Sequence, residues 1–61
     1  MKTEPATWSR RDRVTFYRLD AARFRNMAEA EARAAIRDRL IALAQDYQRA
    51  ARTLETTAMA A

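Results

Sequence analysis

Apolar residues in the second half of the chain recur at alternating spacings of four and three. This α2 stripe comprises Ile36, Leu40, Leu43, Tyr47, Ala50 and Leu54. The alternation places all six side chains along one side of an α-helix. Ala44 and Ala51 flank the stripe, and such small side chains would let a second backbone come close. The pattern predicts an amphipathic helix that must bury one side.

A similar pattern in the first half of the chain predicts another helix. Ser9 and Asp12 have the spacing of a capping box, so the helix should begin just after Ser9. Trp8 would then lie outside the helix, where its indole could pack over the first turn or stack on Arg13. The apolar residues again alternate by three and four, and this α1 stripe comprises Val14, Tyr17, Ala21, Phe24 and Ala28.

The rhythm of the two stripes is interrupted between Ala28 and Ile36. Continuing the first rhythm would place charged Glu31 and Asp38 at apolar positions. Either the chain reverses within residues 31–35, or it continues as one rod whose stripe changes side. Residues 30–34 contain no turn former, which favours the rod locally, whereas an antiparallel hairpin buries one stripe of each helix. We therefore predict an all-α fold: a two-helix hairpin at residues 9–55, with helices at 9–31 and 34–55.

Residues outside the hairpin lack a periodic apolar pattern. Residues 1–8, which include Pro5, are expected to form a flexible N-terminal arm. Residues 56–61 are expected to form a frayed tail, because the apolar rhythm stops after Leu54.

A second group of apolar residues on the first helix predicts self-association. Phe16, Leu19, Met27 and Ala30 lie about a third of a turn from the α1 stripe, so one partner helix cannot cover both groups. A second copy of the chain is the simplest partner, and a chain of 61 residues needs additional stabilisation. We expect a homodimeric four-helix bundle whose interface contains Phe16, Leu19, Met27, Leu40, Leu43, Tyr47 and Leu54.

The composition agrees with an all-α fold and argues against catalysis. The chain has no glycine and one proline, and the absence of cysteine and histidine removes the commonest nucleophiles, bases and soft metal ligands. The acids lie among arginines at helical spacings, as Asp20 does with Arg23 and Asp38 with Arg39, which is typical of solvated ion pairs. We expect no enzymatic activity, no cofactor and no metal.

Arginine supplies almost all of the positive charge. The net charge is +4, and Lys2 is the single lysine. Arg11, Arg18 and Arg25 follow one another at intervals of seven and form an arginine stripe along one side of the first helix. These side chains either flank the helix contact and pair with Asp46 or Glu55, as flanking charges do in coiled coils, or they bind phosphates.

The sequence gives no sign of a membrane protein. No apolar run approaches the roughly 18–20 residues that a membrane-spanning helix needs. The N-terminus lacks the basic and apolar regions of a secretory signal. A helix lying on an anionic membrane is disfavoured, because acids are interspersed among the bases. We expect a cytoplasmic protein.

Two segments resemble a family of short uncharacterised proteins common in alphaproteobacteria. The family pattern is an aromatic pair, an arginine followed by a Leu-Ala step, an Asp-Pro break and an R-x-x-L-L-x-L-A-x-E-Y run. Here the matching residues are Phe16-Tyr17, Arg25, Met27-Ala28 and the run RDRLIALAQDY at positions 37–47. Arg33-Ala34 stands where the family has Asp-Pro. The resemblance implies a helical hairpin and no known activity.

In size and outline the chain is also similar to small plasmid-copy-number proteins, which dimerise as helical hairpins and bind paired RNA loops. The sequence favours a non-enzymatic protein–protein interaction or adaptor module that self-associates. The alternative is binding of structured RNA or DNA by the arginine stripe of a helical dimer.

Overall fold

The chain folds into an antiparallel hairpin of two α-helices. The computed structural model describes the backbone of residues 8–60 and the side chains of residues 8–57. Helix α1 spans Arg10–Ala30 and α2 spans Ala34–Ala60. The helices pack against each other along their length, and residues 8–60 contain no strand. The predicted all-α hairpin is confirmed, whereas the flexible arm, apart from Trp8, lies outside the described residues.

Helix α1 begins at the predicted capping box. The Ser9 hydroxyl accepts a hydrogen bond from the Asp12 backbone N–H at 3.1 Å, and the Asp12 carboxylate accepts one from the Ser9 backbone N–H at 3.3 Å. Two backbone donors at the helix end are thereby satisfied, and the Asp12 charge lies favourably near the positive end of the helix dipole. Trp8 lies just outside the helix, as predicted.

The turn between the helices consists of three residues that carry no glycine or proline. Glu31 has extended backbone angles, φ −91° and ψ 122°, and its N–H donates to the carbonyl of Ala28. The Glu31 carboxylate then accepts hydrogen bonds from the backbone N–H and the guanidinium of Arg33. The carbonyl of Arg33 accepts from the Arg37 N–H at 2.9 Å, which begins α2. Hydrogen bonds between Glu31 and Arg33 thus stabilise the turn.

The phase of the buried residues explains why the chain reverses. Ala28 and Ala44 are the buried residues on either side of the turn, and sixteen positions separate them. In a continuous helix that separation would place them about 160° apart, on opposite sides of the rod. A rod would leave both stripes exposed to water, whereas the hairpin brings them together.

The centre of the helix contact is lined by small side chains at intervals of seven. The buried residues are Val14, Ala21 and Ala28 on α1, and Ala44 and Ala51 on α2. Tyr17 and Phe24 are half-buried beside the α1 residues, so the predicted α1 stripe is confirmed. Because the interaxial distance depends on the side chains at the contact, alanine lets the two helices approach closely.

The α2 contact is displaced by one residue from the predicted stripe. Ala44 and Ala51, predicted to flank the stripe, occupy the centre of the contact. Leu43 belongs to the predicted stripe but is 41% exposed, and Ile36 is 37% exposed. The placement of Leu43 and Ile36 against α1 was therefore wrong, because close packing of the backbones selects the small residues and moves the larger ones to the side.

Helix α2 continues to Ala60, beyond the predicted end at Glu55. The Thr57 hydroxyl donates a hydrogen bond to the Thr53 carbonyl at 2.9 Å within this last part of the helix. Loss of apolar periodicity removes packing but does not end a helix, and residues 56–60 contain no glycine or proline.

Candidate interaction surface

The aromatic side chains form one continuous row of ring contacts. The chain contains five aromatic residues, and all of them take part. Trp8 meets Phe16 with 5.1 Å between ring centroids, and Phe16 lies 6.2 Å from Tyr17. Tyr47 of α2 contacts both Tyr17, at 5.8 Å, and Phe24, at 5.3 Å. The rings are tilted or edge-on, the arrangement that aromatic pairs prefer, and Tyr47 links the row across the two helices.

One face of the hairpin carries the rings of Tyr17, Phe24 and Tyr47 together with several aliphatic side chains. At about 100° per residue, Tyr17, Phe24 and Met27 lie on one flank of Ala21 in α1. In an antiparallel pair, flanks with the same rotational sense lie on the same face, and the Tyr17–Tyr47 contact fixes which flank of α2 belongs to it. We call this surface the aromatic face: Tyr17, Phe24, Met27, Ile36, Leu43, Tyr47 and Leu54.

Much of the aromatic face is open to solvent. Met27 is 51% exposed, Leu43 is 41% exposed and Ile36 is 37% exposed. Tyr47 and Leu54 are half-buried. Asp20 lies between the apolar residues of α1 on this side, and Arg23 donates a hydrogen bond to its carboxylate at 3.2 Å, the predicted ion pair. The aromatic face is therefore mainly apolar: its acid is paired with a base, and half-buried Arg13 lies on the same flank near the start of α1.

The structure brings most of the predicted interface residues to one side of the hairpin. Leu19 is the exception, because it lies on the side of α1 that faces away from α2 and is 59% exposed. Leu40 is half-buried next to Ala44, where part of it is used in the hairpin contact. The residues at or beside the aromatic face are Phe16, Met27, Leu43, Tyr47 and Leu54.

The arginine stripe lies on the opposite face of the hairpin. Arg11, Arg18 and Arg25 are all exposed. Arg18 donates a hydrogen bond to the Glu55 carboxylate of α2, which is one of the two predicted pairings. Asp46, the other candidate partner, accepts from Arg49 of its own helix at 3.2 Å.

Helix α2 adds further arginines to that side. Arg25 and Arg37 line a shallow groove between the helices together with Ala28, Glu29 and Ile41. Arg52 lies on the same flank of α2 by helical geometry. We call this surface the arginine face: Arg11, Arg18, Arg25, Arg37 and Arg52. Five guanidinium groups against the carboxylates of Glu29 and Glu55 leave this face basic.

The surroundings of Glu31 shift its ionisation. The side-chain hydrogen bond from Arg33 lowers the pKa of the Glu31 carboxyl, and the backbone hydrogen bond from the same residue acts in the same direction. Both bonds favour the charged form. Glu31 therefore stays ionised while it holds the turn.

Within residues 8–60, no three acidic side chains are grouped so that they could hold a metal ion. In the same part of the chain, neither helix combines the length and the apolar character needed to cross a bilayer.

Two features of this site were missed by reasoning from the sequence. One is the role of Glu31 and Arg33 in the turn, which leaves no recognisable turn motif. The other is the alanine centre, although a signal for it exists: Ala21 and Ala28 are seven apart, as are Ala44 and Ala51.

Comparison with known proteins adds no assignment. The chain matches no protein-family model, no curated protein and no solved structure. The observations that bear on function are therefore the two faces of the hairpin, the apolar aromatic face and the basic arginine face.

Proposed function

We propose that this protein is a non-enzymatic helical interaction module that self-associates and mediates protein–protein contacts in the cytoplasm. The observation that carries the proposal is the exposure of Met27, Leu43 and Ile36, between 37% and 51%, on a single face. Large contiguous apolar patches on soluble chains commonly mark protein–protein contacts. The absence of histidine and cysteine from the sequence supports a role without catalysis.

The interior of the hairpin supports the same proposal. Its buried residues are one valine and four alanines, and no large side chain among the described residues is fully buried. Burial of a CH₂ group contributes about 0.8 kcal/mol, so alanine adds little to a core. Chains below roughly 70–80 residues commonly gain the missing stability by disulfides, metals or oligomerisation. Self-association would bury the large apolar side chains that the hairpin leaves open.

Sedimentation equilibrium combined with thermal melting over a wide concentration range tests the proposal. We expect a dimer at micromolar concentration and a Tm that rises with protein concentration, because association stabilises the folded state by mass action. A folded monomer whose cooperative melting is independent of concentration would overturn it.

The arginine face favours a second candidate function, the binding of structured RNA or DNA. Arg25 and Arg37 border one groove from two different helices, so the arginines are not confined to a single edge. Arginine forms strong paired hydrogen bonds with phosphate, and a row of them can follow a nucleic-acid backbone. The ion pair between Arg18 and Glu55 weakens this reading, since it occupies one member of the stripe. Absence of binding to duplex RNA and DNA at low salt would eliminate this function.

A further inference from the structure

We infer that a second copy of the chain docks on the aromatic face, so that the dimer is a four-helix bundle with both arginine faces on the outside. This inference rests on the proposed self-association and adds the surface through which it occurs. The sequence alone did not distinguish that surface from the side of α1 that carries Leu19.

Apolar residues of α2 recur at intervals of seven in two sets. Leu40, Tyr47 and Leu54 form one set, which packs beside the alanines of the hairpin contact. A second set consists of Ile36, Leu43 and Ala50. Helices in bundles use both sets, because knobs from each enter holes of the neighbouring helices. Since the hairpin leaves Ile36 and Leu43 largely open, the second set is available to a helix of another molecule.

The side of the hairpin that carries the aromatic face has the area that a stable dimer needs. Helix α1 has 21 residues, which corresponds to about 31 Å of helix at 1.5 Å per residue. Two helices side by side, each about 10 Å across, present a face of roughly 600 Å² in projection. A standard protein–protein interface removes about 800 Å² of accessible surface from each partner. Since side-chain relief makes accessible area larger than projected area, one aromatic face is large enough for a stable dimer.

The distribution of charge favours the aromatic face over the arginine face as the contact between two copies. Docking two arginine faces would bring like charges together, which opposes association. On the aromatic face, the side chain of Asp20 is 14% exposed and is paired with Arg23 at the margin. Two such faces can meet without an unpaired charge at their centre. A two-fold dimer requires one self-complementary surface, and the aromatic face meets that requirement.

Two matched pairs of variants separate the aromatic face from the rest of the surface. Ile36 and Ile41 lie on the same helix with exposures of 37% and 38%, but on opposite faces. Leu43 and Leu19 form a second pair, on the aromatic face and on the far side of α1. We expect Ile36→Lys and Leu43→Lys to weaken dimerisation at least about tenfold, because lysine in a closed interface loses its hydration. Ile41→Lys and Leu19→Lys should dimerise like the natural sequence.

A second measurement covers the case in which a lysine variant does not fold. The chain has no cysteine, so a single cysteine carries a nitroxide label at a chosen site. Labels at Leu43→Cys should show dipolar coupling between two copies at short distance, whereas labels at Leu19→Cys should be far apart. The labelled variants are compared at the same protein concentration.

The outcomes distinguish this inference from the proposed function. A monomer at all concentrations overturns both. A dimer that is disrupted by Ile41→Lys or Leu19→Lys but not by Ile36→Lys or Leu43→Lys overturns the inference alone. If all four variants lose the dimer, short distances between Leu19→Cys labels, with long ones between Leu43→Cys labels, also overturn it.

Discussion

Glu31 and Arg33 are joined by a backbone and a side-chain hydrogen bond at the same carboxylate oxygen, each 2.9 Å long. A third bond, from Nη2 of Arg33 to the other oxygen, measures 3.3 Å. The carboxylate also lies near the N-terminus of α2, where negative charge is favourable. These hydrogen bonds stabilise a turn that contains no glycine or proline, while the burial of the two stripes favours the reversal itself.

Removing the Glu31 carboxylate should destabilise the hairpin. We expect Glu31→Ala to lower the Tm, because the Arg33 N–H and guanidinium lose their acceptor and residues 30–34 are then free to favour helix. Glu29→Ala is the control, since Glu29 is exposed on the last turn of α1 and accepts none of these bonds. Circular dichroism melting measures the difference, and equal Tm values for the two variants would contradict the role of Glu31.

Acid should act on the same pair. The lowered pKa of Glu31 means that its contribution to stability is present above the unfolded pKa of a glutamate, about 4.3, and is lost as pH falls through the folded pKa. We expect the carboxyl ¹³C titration of Glu31 to have its midpoint below that of an unfolded glutamate. Arg33→Gln should raise that midpoint. An unchanged midpoint would show that Arg33 is not the cause.

A larger side chain at the centre of the helix contact should be poorly tolerated. We expect Ala44→Leu to destabilise the protein by roughly 1–3 kcal/mol, because the closely packed helices have no room for three additional carbons. Ala42→Leu is the matched control, since Ala42 is exposed on the same helix. Urea denaturation compares the two, and a stabilising effect of Ala44→Leu would mean that the helices are less closely packed than described.

Neutralising the arginine stripe separates the two candidate functions. Replacing Arg11, Arg18 and Arg25 with glutamine should leave helicity nearly unchanged, because exposed ion pairs contribute little to stability. If the stripe binds nucleic acid, the variant loses binding. In that case the dimer of the natural sequence, which presents six of these arginines, should show a slope of roughly −5 in log affinity against log salt on duplex DNA. Each phosphate contact contributes about −0.9 to that slope. Loss of the dimer without any nucleic-acid binding to lose would instead place the stripe at the bundle interface.

The sequence predicted the features that depend on local hydrogen bonding and on helical period. The start of α1 followed from the spacing of Ser9 and Asp12, and the two helices followed from the apolar rhythm. The position of the turn followed from the interrupted apolar rhythm, whereas its hydrogen bonds could not be predicted, because they depend on one conformer of the Glu31 side chain. The Tyr47 contacts with Tyr17 and Phe24 were implicit, since each ring lies on a predicted stripe.

The centre of the contact was misplaced for a different reason. The alternation of three and four fits a stripe through Leu43 almost as well as one through Ala44. Hydrophobicity gives the larger residue more weight, whereas close approach of two backbones requires the smaller one. Giving more weight to large apolar residues therefore places the predicted stripe one position away from the observed contact. For the same reason, Leu43 and Ile36 are predicted to be buried against α1, whereas both are exposed on the aromatic face.

The alanine-lined contact also determines how the isolated hairpin responds to temperature. Unfolding raises the heat capacity by about 0.45 cal/K/mol for each Å² of apolar surface exposed. Separating α1 from α2 exposes the methyl groups of Ala21, Ala28, Ala44 and Ala51 but no large side chain that was fully buried. The curve of unfolding free energy against temperature should consequently be only weakly curved for a single hairpin, and cooling should destabilise it little. Marked curvature would have to come from apolar surface that two molecules bury together.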